Sequence, residues 1–255
     1  AVALDGTDGS ILWNWIDGNN LYSVASGDFN NDGIDDAAVA GASDIVTALD
    51  GIDGSILWQF GQGGDQYYRK SLQSTDLNAD GYDDVIAGND DSFVYAIDGN
   101  TGSLLWNIDL NGQVRDIDLY QMDGHGGLDV IASASLQIAV INGSTGDVLW
   151  DYQTDVSSAK NTLVLDANDD GFMDVVWGSI SKIELIDGLT HTLEWSTPLR
   201  VNSDYCLAAT NVNEDPPSDV ILAGGVDGEQ IIALNGLDGS TEWTETRGGD
   251  VDCIY

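Results

Sequence analysis

The sequence predicts an all-β protein, a β-propeller built from four-stranded blades. A turn that runs into a tryptophan occurs six times, and successive tryptophans are 44 to 48 residues apart. Each of these units contains four short β-like runs, and no stretch shows sustained helical periodicity. A period in the forties with several short strands per unit is typical of propeller blades. The six tryptophans are Trp13, Trp58, Trp106, Trp150, Trp195 and Trp243.

Four strands are assigned within each unit, because the runs are rich in small, β-branched and aromatic residues and are bounded by turn residues. In the first complete unit the strands are Leu21–Gly27, Asp36–Ala42, Ile45–Leu49 and Ser55–Phe60. In the second they are Ser71–Leu77, Asp84–Gly88, Phe93–Ile97 and Ser103–Ile108. The five complete units span approximately Leu21–Phe60, Asp65–Leu110, Asn111–Tyr152, Val156–Thr197 and Arg200–Glu245.

The two ends of the chain hold partial units. Residues 1–16 supply a third and a fourth strand, and Asp250–Tyr255 resembles a first strand. Together they are expected to form a sixth blade from both termini; the alternative is that the chain is a fragment of a larger propeller. Because no charged, Pro-rich or Ser-rich linker interrupts the repeats, residues 1–255 are assigned to a single propeller domain.

The turn between the third and fourth strands has a local explanation. Asp or Asn followed by Gly favours positive φ, and a second glycine three residues later extends the tight reversal. His191 replaces this second glycine in the fifth turn and is interpreted as a turn residue, since His is among the better-tolerated residues at positive φ. The recurrent tryptophans are interpreted as packing wedges between blades rather than as a binding stripe.

The charge of the chain excludes several classes of function. The net charge is -37, with 38 Asp but only 6 Glu among the acidic residues. This charge makes binding to nucleic acid or an anionic membrane unfavourable and attracts cations. No apolar run approaches the roughly 20 residues that span a bilayer, so membrane insertion is not expected. Asp suits turns and oxygen-ligand loops, although part of the acidity is also explained by adaptation to high salt.

An acidic loop between the first and second strands predicts a metal site. Oxygen ligands at positions 1, 3, 5 and 9, with Gly at position 6 and a main-chain carbonyl at position 7, can surround one hard cation. Several carboxylates and a carbonyl suit Ca²⁺ better than Mg²⁺. The loop is not an EF-hand, because strands flank it and Val39 is the twelfth residue. The ligands are Asp28, Asn30, Asp32, Ile34 and Asp36; Asp76, Asn78, Asp80, Tyr82 and Asp84; and Asp166, Asn168, Asp170, Phe172 and Asp174.

Two further loops depart from this pattern, so three to five calcium ions are expected. The third unit carries an insertion and leaves Asp118, Asp123 and Asp129 as candidate ligands. The fifth has Pro216 in place of Gly and offers Asn211, Asn213, Asp215 and Asp219, with a lower expected affinity. Cys206 and Cys253 fall at equivalent points of neighbouring first strands, which fits either a disulfide in an oxidising compartment or two buried thiols.

The two halves of each unit resemble known repeats. The acidic loop and its strand (DDAAVAG, DDVIAG, MDVVWG, SDVILAGG) resemble the FG-GAP or VCBS repeats of integrin-type propellers. That resemblance implies one Ca²⁺ per loop. The second half, cleanest in VYAIDGNTGSLLW, resembles the PQQ-like repeat of quinoprotein dehydrogenases and of outer-membrane assembly propellers. Together the resemblances cover essentially the whole chain, but they imply no particular activity, because one fold hosts many functions.

The expected function is that of an extracellular or cell-surface module for adhesion, recognition or surface structure, with a protein or glycan partner. An enzyme is not expected, because only seven basic residues are available for a quinone pocket and only His125 and His191 could offer an imidazole base. The alternatives are a quinoprotein-like or polysaccharide lyase-like enzyme, or a self-assembling subunit of a surface layer or filament.

Overall fold

The protein is described from a computed structural model, over residues 1–62, 67–155, 159–199, 207–210, 219–223 and 230–246. This part of the chain is all-β, and it contains no helix that is long and apolar enough to cross a membrane. One sheet has two strands, β1 (Val2–Leu4) and β2 (Ile11–Asn14). The other five sheets have four strands each and are called blades 1 to 5.

The bounds of the blade strands follow in chain order. Blade 1 contains β3 (Leu21–Gly27), β4 (Asp36–Gly41), β5 (Ile45–Leu49) and β6 (Ile56–Gly61). Blade 2 contains β7 (Tyr67–Thr75), β8 (Asp84–Asn89), β9 (Phe93–Ile97) and β10 (Leu104–Asp109). Blade 3 contains β11 (Asp116–Tyr120), β12 (Asp129–Ala134), β13 (Gln137–Ile141) and β14 (Val148–Gln153). Blade 4 contains β15 (Ala159–Leu165), β16 (Asp174–Ser179), β17 (Ile183–Ile186) and β18 (Leu193–Thr197). Blade 5 contains β19 (Leu207–Thr210), β20 (Asp219–Ala223), β21 (Gln230–Leu234) and β22 (Thr241–Thr246).

Within each blade the strands pair antiparallel in sequence order, as the fold prediction requires. The turn between the third and fourth strands is closed by two main-chain hydrogen bonds. In blade 1 the Asp50 N–H donates to the Ser55 carbonyl and the Gly54 N–H to the Asp50 carbonyl, both at 2.8 Å. In blade 4, His191 has φ 58° and donates its N–H to the Asp187 carbonyl at 2.8 Å. The prediction that His191 is a turn residue is therefore confirmed.

The apolar core lies between consecutive blades. In blades 2, 3 and 4 the second strand alternates its side chains between two clusters. In blade 2, Val85 and Ala87 pack into the cluster shared with blade 1, whereas Ile86 packs into the cluster shared with blade 3. All three side chains are fully buried. Similar clusters lie between blades 3 and 4 and between blades 4 and 5. Burial on both faces explains why the second strands are continuously apolar rather than alternating.

The tryptophans join each blade to the next. The Trp58 indole N–H donates to the Gly99 carbonyl of blade 2, and Trp58 is 8% exposed. A Cβ on Gly102, which has φ 69°, would lie 2.9 Å from the Trp58 side chain, so this contact requires glycine. The same indole bond joins Trp13 to Gly51, Trp106 to Gly143 and Trp195 to Gly236. The interpretation of these tryptophans as interblade packing residues is confirmed.

Some positions that are buried in the complete blades are exposed in the two-stranded sheet and in β3 of blade 1. Leu4 is 58% exposed, whereas Leu49, the same position in blade 1, is fully buried. Val24 in β3 is 65% exposed, whereas its blade 2 equivalent Leu72 is 3% exposed because β3 and β4 pack against it. The sequence placed a first strand for this sheet at Asp250–Tyr255, which lies outside the described residues.

Candidate metal centre

The acidic loops of blades 1, 2 and 4 adopt one backbone conformation. Each loop connects the first strand to the second and has positive φ at positions 4 and 6. At position 4 the φ values are 57° for Asn31, 61° for Ala79 and 59° for Asp169. At position 6 they are 85° for Gly33, 91° for Gly81 and 90° for Gly171. Position 6 requires a left-handed backbone conformation, which glycine adopts without a steric penalty. This requirement explains why glycine recurs there.

Main-chain N–H groups organise the side-chain oxygens of each loop. In blade 1 the two carboxylate oxygens of Asp28 accept the Asp32 N–H at 3.0 Å and the Gly33 N–H at 2.9 Å. Asn30 Oδ1 also accepts the Asp32 N–H, and Asp32 Oδ1 accepts the Ile34 N–H, both at 2.9 Å. The loops of blades 2 and 4 repeat all four bonds. The oxygens at positions 1, 3 and 5 are therefore held in place by the loop itself.

The aspartate at position 9 has a structural role that the sequence did not reveal. Asp36 is 2% exposed, and its carboxylate accepts the Phe29 N–H at 3.0 Å and the Gly51 N–H at 2.8 Å. These bonds tie the acidic loop to the turn between the third and fourth strands. Asp84 and Asp174 make the equivalent pairs of bonds.

The first aspartate of the tryptophan turn also approaches the loop. The Asn30 side-chain amide donates to Asp50 at 3.3 Å, and the Asn168 amide donates to Asp187 at 3.1 Å. Sequence reasoning assigned this aspartate to the turn alone. The recurrence of this aspartate in the repeats was the one sequence signal for a further role. The contact itself could not be predicted, because it depends on how the two turns of a blade meet.

The carboxylates in these loops are not neutralised by basic side chains. Among the described residues, no lysine or arginine forms an ion pair with the loops of blades 1, 2 and 4. Burial is the main cause that raises the pKa of Asp84 and of Asp174 to about 6; nearby Asp80 and Asp187, respectively, contribute to this rise, and main-chain hydrogen bonds oppose it. Burial also raises the pKa of Asp36. A bound cation would remove this unfavourable concentration of negative charge.

Each loop can hold a hard cation only if amide and main-chain carbonyl oxygens join its carboxylates as ligands. Counting His, Cys, Asp and Glu alone, no group of three in the described ranges could hold a metal ion. The asparagine amide at position 3 and the main-chain carbonyl at position 7 therefore have to complete the set. Amide and carbonyl oxygens are ordinary ligands of Ca²⁺, so the residues present fit this ion.

The raised pKa values predict a pH dependence of stability in metal-free protein. Asp84 binds a proton more tightly in the folded state, with a pKa of about 6, than in the unfolded chain, with a pKa of 3.8. Its protonation therefore favours folding, and this contribution is lost as the pH rises through 6. With chelator present, we expect the free energy of unfolding to fall by roughly 1 kcal/mol for each such carboxyl between pH 5 and pH 7. Denaturant titrations across this range would measure it.

Asp84→Asn provides the critical comparison, because it removes one titrating group while perturbing the hydrogen bonds equally at all pH values. Between pH 5 and pH 7, the free energy of unfolding should fall less in this variant than in the unchanged protein, by the roughly 1 kcal/mol expected for one carboxyl. Asp35→Asn is the matched control, since Asp35 is exposed in the corresponding loop of blade 1. Identical slopes for Asp84→Asn and the unchanged protein would show that Asp84 is not the titrating group.

The third loop differs from its predicted form. Tyr120 pairs with Asp129, so Gln121 occupies position 1 and the loop has nine positions, as in blades 1, 2 and 4. The predicted insertion in this unit is therefore wrong. Asp118 lies within β11, and its carboxylate accepts the Thr162 hydroxyl of blade 4 at 2.7 Å. The structure therefore places Asp118 outside the loop, which corrects its assignment as a candidate ligand. Asp129 takes position 9 and accepts the Met122 N–H at 2.8 Å, whereas Asp123 accepts the His125 N–H.

Several predicted site residues cannot be placed. Cys206, Cys253, Asn211, Asn213 and Asp215 lie outside the described residues. Asp219 begins β20, where its backbone pairs with Thr210, as expected for position 9 of a fifth loop. The predictions for the fifth loop and for the cysteines stay predictions.

Four-stranded blades joined by tryptophan turns define the class of this protein as a β-propeller of PQQ-like repeats. A family model described as outer membrane protein assembly factor BamB matches residues 42–171, about half of the chain. The chain belongs to this family. No curated protein sequence matches the chain.

Similar folds occur in solved structures from distant organisms. BamB from Moraxella catarrhalis has a TM-score of 0.66 at 17% identity, covering 93% of this chain and 65% of that one. The Vibrio cholerae biofilm matrix protein Bap1 has a TM-score of 0.55 at 13% identity, with 99% and 74% covered. Saccharomyces cerevisiae Sqt1 has a TM-score of 0.70 at 8% identity, with 93% and 65% covered. At these identities the likeness shows the fold alone, and the chain spans 65% of the length of the Moraxella protein.

Proposed function

We propose that this chain is a calcium-stabilised propeller that binds other proteins in the cell envelope or outside the cell. The observation that carries the calcium proposal is the loop network repeated in blades 1, 2 and 4, where the oxygens at positions 1, 3 and 5 are fixed by main-chain N–H groups. Membership of a family described as an outer membrane assembly factor supports a protein-binding role at the envelope.

Calcium is favoured over magnesium because of the shape and size of the donor set. Each loop offers carboxylates, an amide and a carbonyl from one short segment, which suits an ion that accepts six to eight oxygens. Magnesium prefers a small octahedral shell and retains water ligands. Sites of this kind outside cells have dissociation constants of about 10⁻⁴ to 10⁻³ M, which matches an extracellular calcium concentration in the millimolar range. These considerations support an extracellular location.

We further propose that the chain is a scaffold rather than an enzyme. The position 9 carboxylates accept two main-chain hydrogen bonds each, which suits support of the blade rather than proton transfer. The acidic surface, with a net charge of -37, would favour partners with basic surfaces.

A second candidate function is a subunit of a surface assembly. It is favoured by the exposed apolar residues of the two-stranded sheet and of β3 in blade 1, since Val2, Leu4 and Val24 are each more than half exposed. Exposed apolar surface next to a short sheet is a common site of association. One of the structural neighbours is a biofilm matrix protein, which shows that this fold is used in such material.

Calcium stoichiometry provides the direct test. Isothermal titration of chelator-treated protein should give at least one ion for each of the three regular loops. Asp32→Ala should remove one ion, because Asp32 supplies the position 5 ligand and its carboxylate is exposed at the loop. Asp35→Ala is the matched control, since it removes the same charge from the same loop at a position that is not a ligand.

The comparison of these two variants separates specific binding from general attraction. If Asp32→Ala and Asp35→Ala weaken calcium binding equally without changing the stoichiometry, the ions are only condensed on an acidic surface. Asp80→Ala, the equivalent change in blade 2, should remove a different single ion. A protein that binds no calcium at millimolar concentration would refute the proposal.

A further inference from the structure

The interface between blades 3 and 4 departs from the tryptophan packing of the other interfaces. At four interfaces a Cβ on the turn glycine would lie 2.5 to 2.9 Å from the tryptophan of the preceding blade. At this one the position is His191, whose side chain cannot fit in that space. Instead, the His191 and Trp150 rings stack, with 4.9 Å between centroids and 14° between planes. Among the described contacts, the indole bond to a turn carbonyl that occurs at the other four interfaces is missing for Trp150 and Gly188.

This altered packing is accompanied by a cleft of about 380 Å³ between blades 3 and 4. We call it the histidine cleft, because it contains both histidines of the chain. Most of its walls are apolar or aromatic. The side chains that define it are Met122, His125, Trp150, Phe172, Leu189 and His191.

The polar side chains of the cleft are few. The irregular third loop brings Asp123 to the cleft, where its carboxylate accepts the His125 N–H at 2.8 Å and lies 3.4 Å from His125 Nδ1. The His125 side chain is 85% exposed. The cleft is therefore an apolar site with one negative group at its edge.

These features select the kind of group that the cleft would hold. Aromatic walls favour a planar ring, through edge or face contacts worth about 0.5 to 1.5 kcal/mol each. Asp123 and the acidic surface disfavour an anion and favour a ligand with positive charge beside the ring. A sugar would need several converging polar groups, whereas the polar side chains among the described residues lining this cleft are Asp123, His125 and His191. The exposed imidazole of His125 is suited to a phenolic hydroxyl as its hydrogen-bond partner.

We propose that the histidine cleft binds a tyrosine side chain in a basic segment of a partner protein. The inference deepens the proposed protein-binding role and rests on it, but it does not depend on calcium binding. Phe172 and Leu189, which are 45% and 51% exposed, would cover the ring, while Asp123 would face a neighbouring lysine or arginine. Aromatic anchors that fill pockets are typical of the residues that dominate protein interfaces.

The two histidines make the site directly observable by NMR. With histidine labelled at the ring carbon Cε1 alone, the protein should give two imidazole signals, both from the cleft. The probe is the capped peptide Lys-Gly-Tyr-Gly-Lys. It is compared with Lys-Gly-Ala-Gly-Lys, in which alanine replaces tyrosine, and with Glu-Gly-Tyr-Gly-Glu, in which glutamates replace the lysines. The tyrosine peptide with lysines should shift both signals, with an affinity of order 1 mM for so small a ligand. The alanine and glutamate peptides should bind about tenfold more weakly or not at all.

Two variants test whether the cleft itself is responsible. His191→Gly restores the glycine found at the other four interfaces, so it should close the cleft, retain thermal stability and weaken the peptide about tenfold. The remaining His125 signal still reports binding. Phe172→Ala should also weaken binding, whereas Tyr82→Ala, at the same loop position in blade 2, should not.

The outcomes are distinct. Equal shifts with the tyrosine and alanine peptides, no shift with any peptide, or unchanged affinity in both His191→Gly and Phe172→Ala would overturn the assignment. Shifts produced by a β-linked glucose oligosaccharide but not by the peptides would assign the cleft to glycans instead. Calcium stoichiometry measured on the same samples keeps failure of the cleft separate from failure of the calcium proposal.

Discussion

Removal of calcium is expected to lower the melting temperature of this protein by roughly 5 to 15 °C. A ligand that binds only the folded state stabilises it by RT ln(1 + [L]/Kd), which gives about 0.6 to 1.8 kcal/mol for each site at millimolar calcium and the affinities expected here. Three regular loops would together supply about 2 to 5 kcal/mol, and a chain of this size shifts by roughly 2 to 4 °C for each kcal/mol. Calorimetry with calcium or with chelator measures the difference.

The same experiment separates metal binding from salt adaptation. Sodium chloride screens exposed carboxylates but does not fill a loop of oxygen ligands. In chelator, added sodium chloride should therefore recover only part of the stability, whereas free calcium restored to the millimolar range should recover all of it. Full recovery by sodium chloride alone would assign the acidic residues to solvation of a salt-adapted surface. Magnesium at the same concentration as calcium should give a smaller shift.

Trp58→Ala is expected to cost about 3 to 5 kcal/mol of stability, in line with other large-to-small changes in protein cores. Trp58 is 8% exposed, packs against Phe29 with ring centroids 6.1 Å apart, and donates to the Gly99 carbonyl. Its loss would open a cavity between blades 1 and 2 and leave the Gly99 carbonyl without its donor. Urea denaturation monitored by circular dichroism provides the measurement.

Trp243→Ala is the matched control for this change. Trp243 occupies the same position in the fourth strand of blade 5, but it is 40% exposed. Because less apolar area is removed from contact, its substitution should cost no more than about 1 kcal/mol. Similar losses for Trp58→Ala and Trp243→Ala would mean that interblade packing does not explain the recurrence of tryptophan.

Sequence patterns were sufficient for the blades because each strand is specified locally. The predicted bounds of β3, β5 and β9 agree with the structure, and most others differ by one or two residues. The largest difference is β7, which begins at Tyr67 rather than Ser71, because a bulge between Tyr67 and Leu72 extends its pairing with β8. A bulge depends on the partner strand, so a single strand's composition does not reveal it.

The site could be predicted only where the repeat is regular. In blades 1, 2 and 4 the spacing of aspartates located the loops, although the link from Asp36 to Gly51 depends on the fold of the blade. In blade 3 the loop has the regular nine positions, but Gln121 replaces the first aspartate. The sequence therefore suggested an insertion, and Asp118 was placed in the loop although it belongs to β11. The histidine cleft joins residues from two blades, and His125 and His191 show no common motif in the sequence.

The alternating side chains of the second strands in blades 2, 3 and 4 affect how the protein unfolds. Val85 and Ile86 are adjacent in the chain but belong to two separate apolar clusters, one on each side of blade 2. Melting of a single blade would therefore expose the inner faces of both its neighbours, so partially unfolded forms are costly. Each blade is therefore stabilised mainly by its contacts with the two neighbouring blades, and these contacts are strong. The blades should lose their structure in one transition rather than in succession.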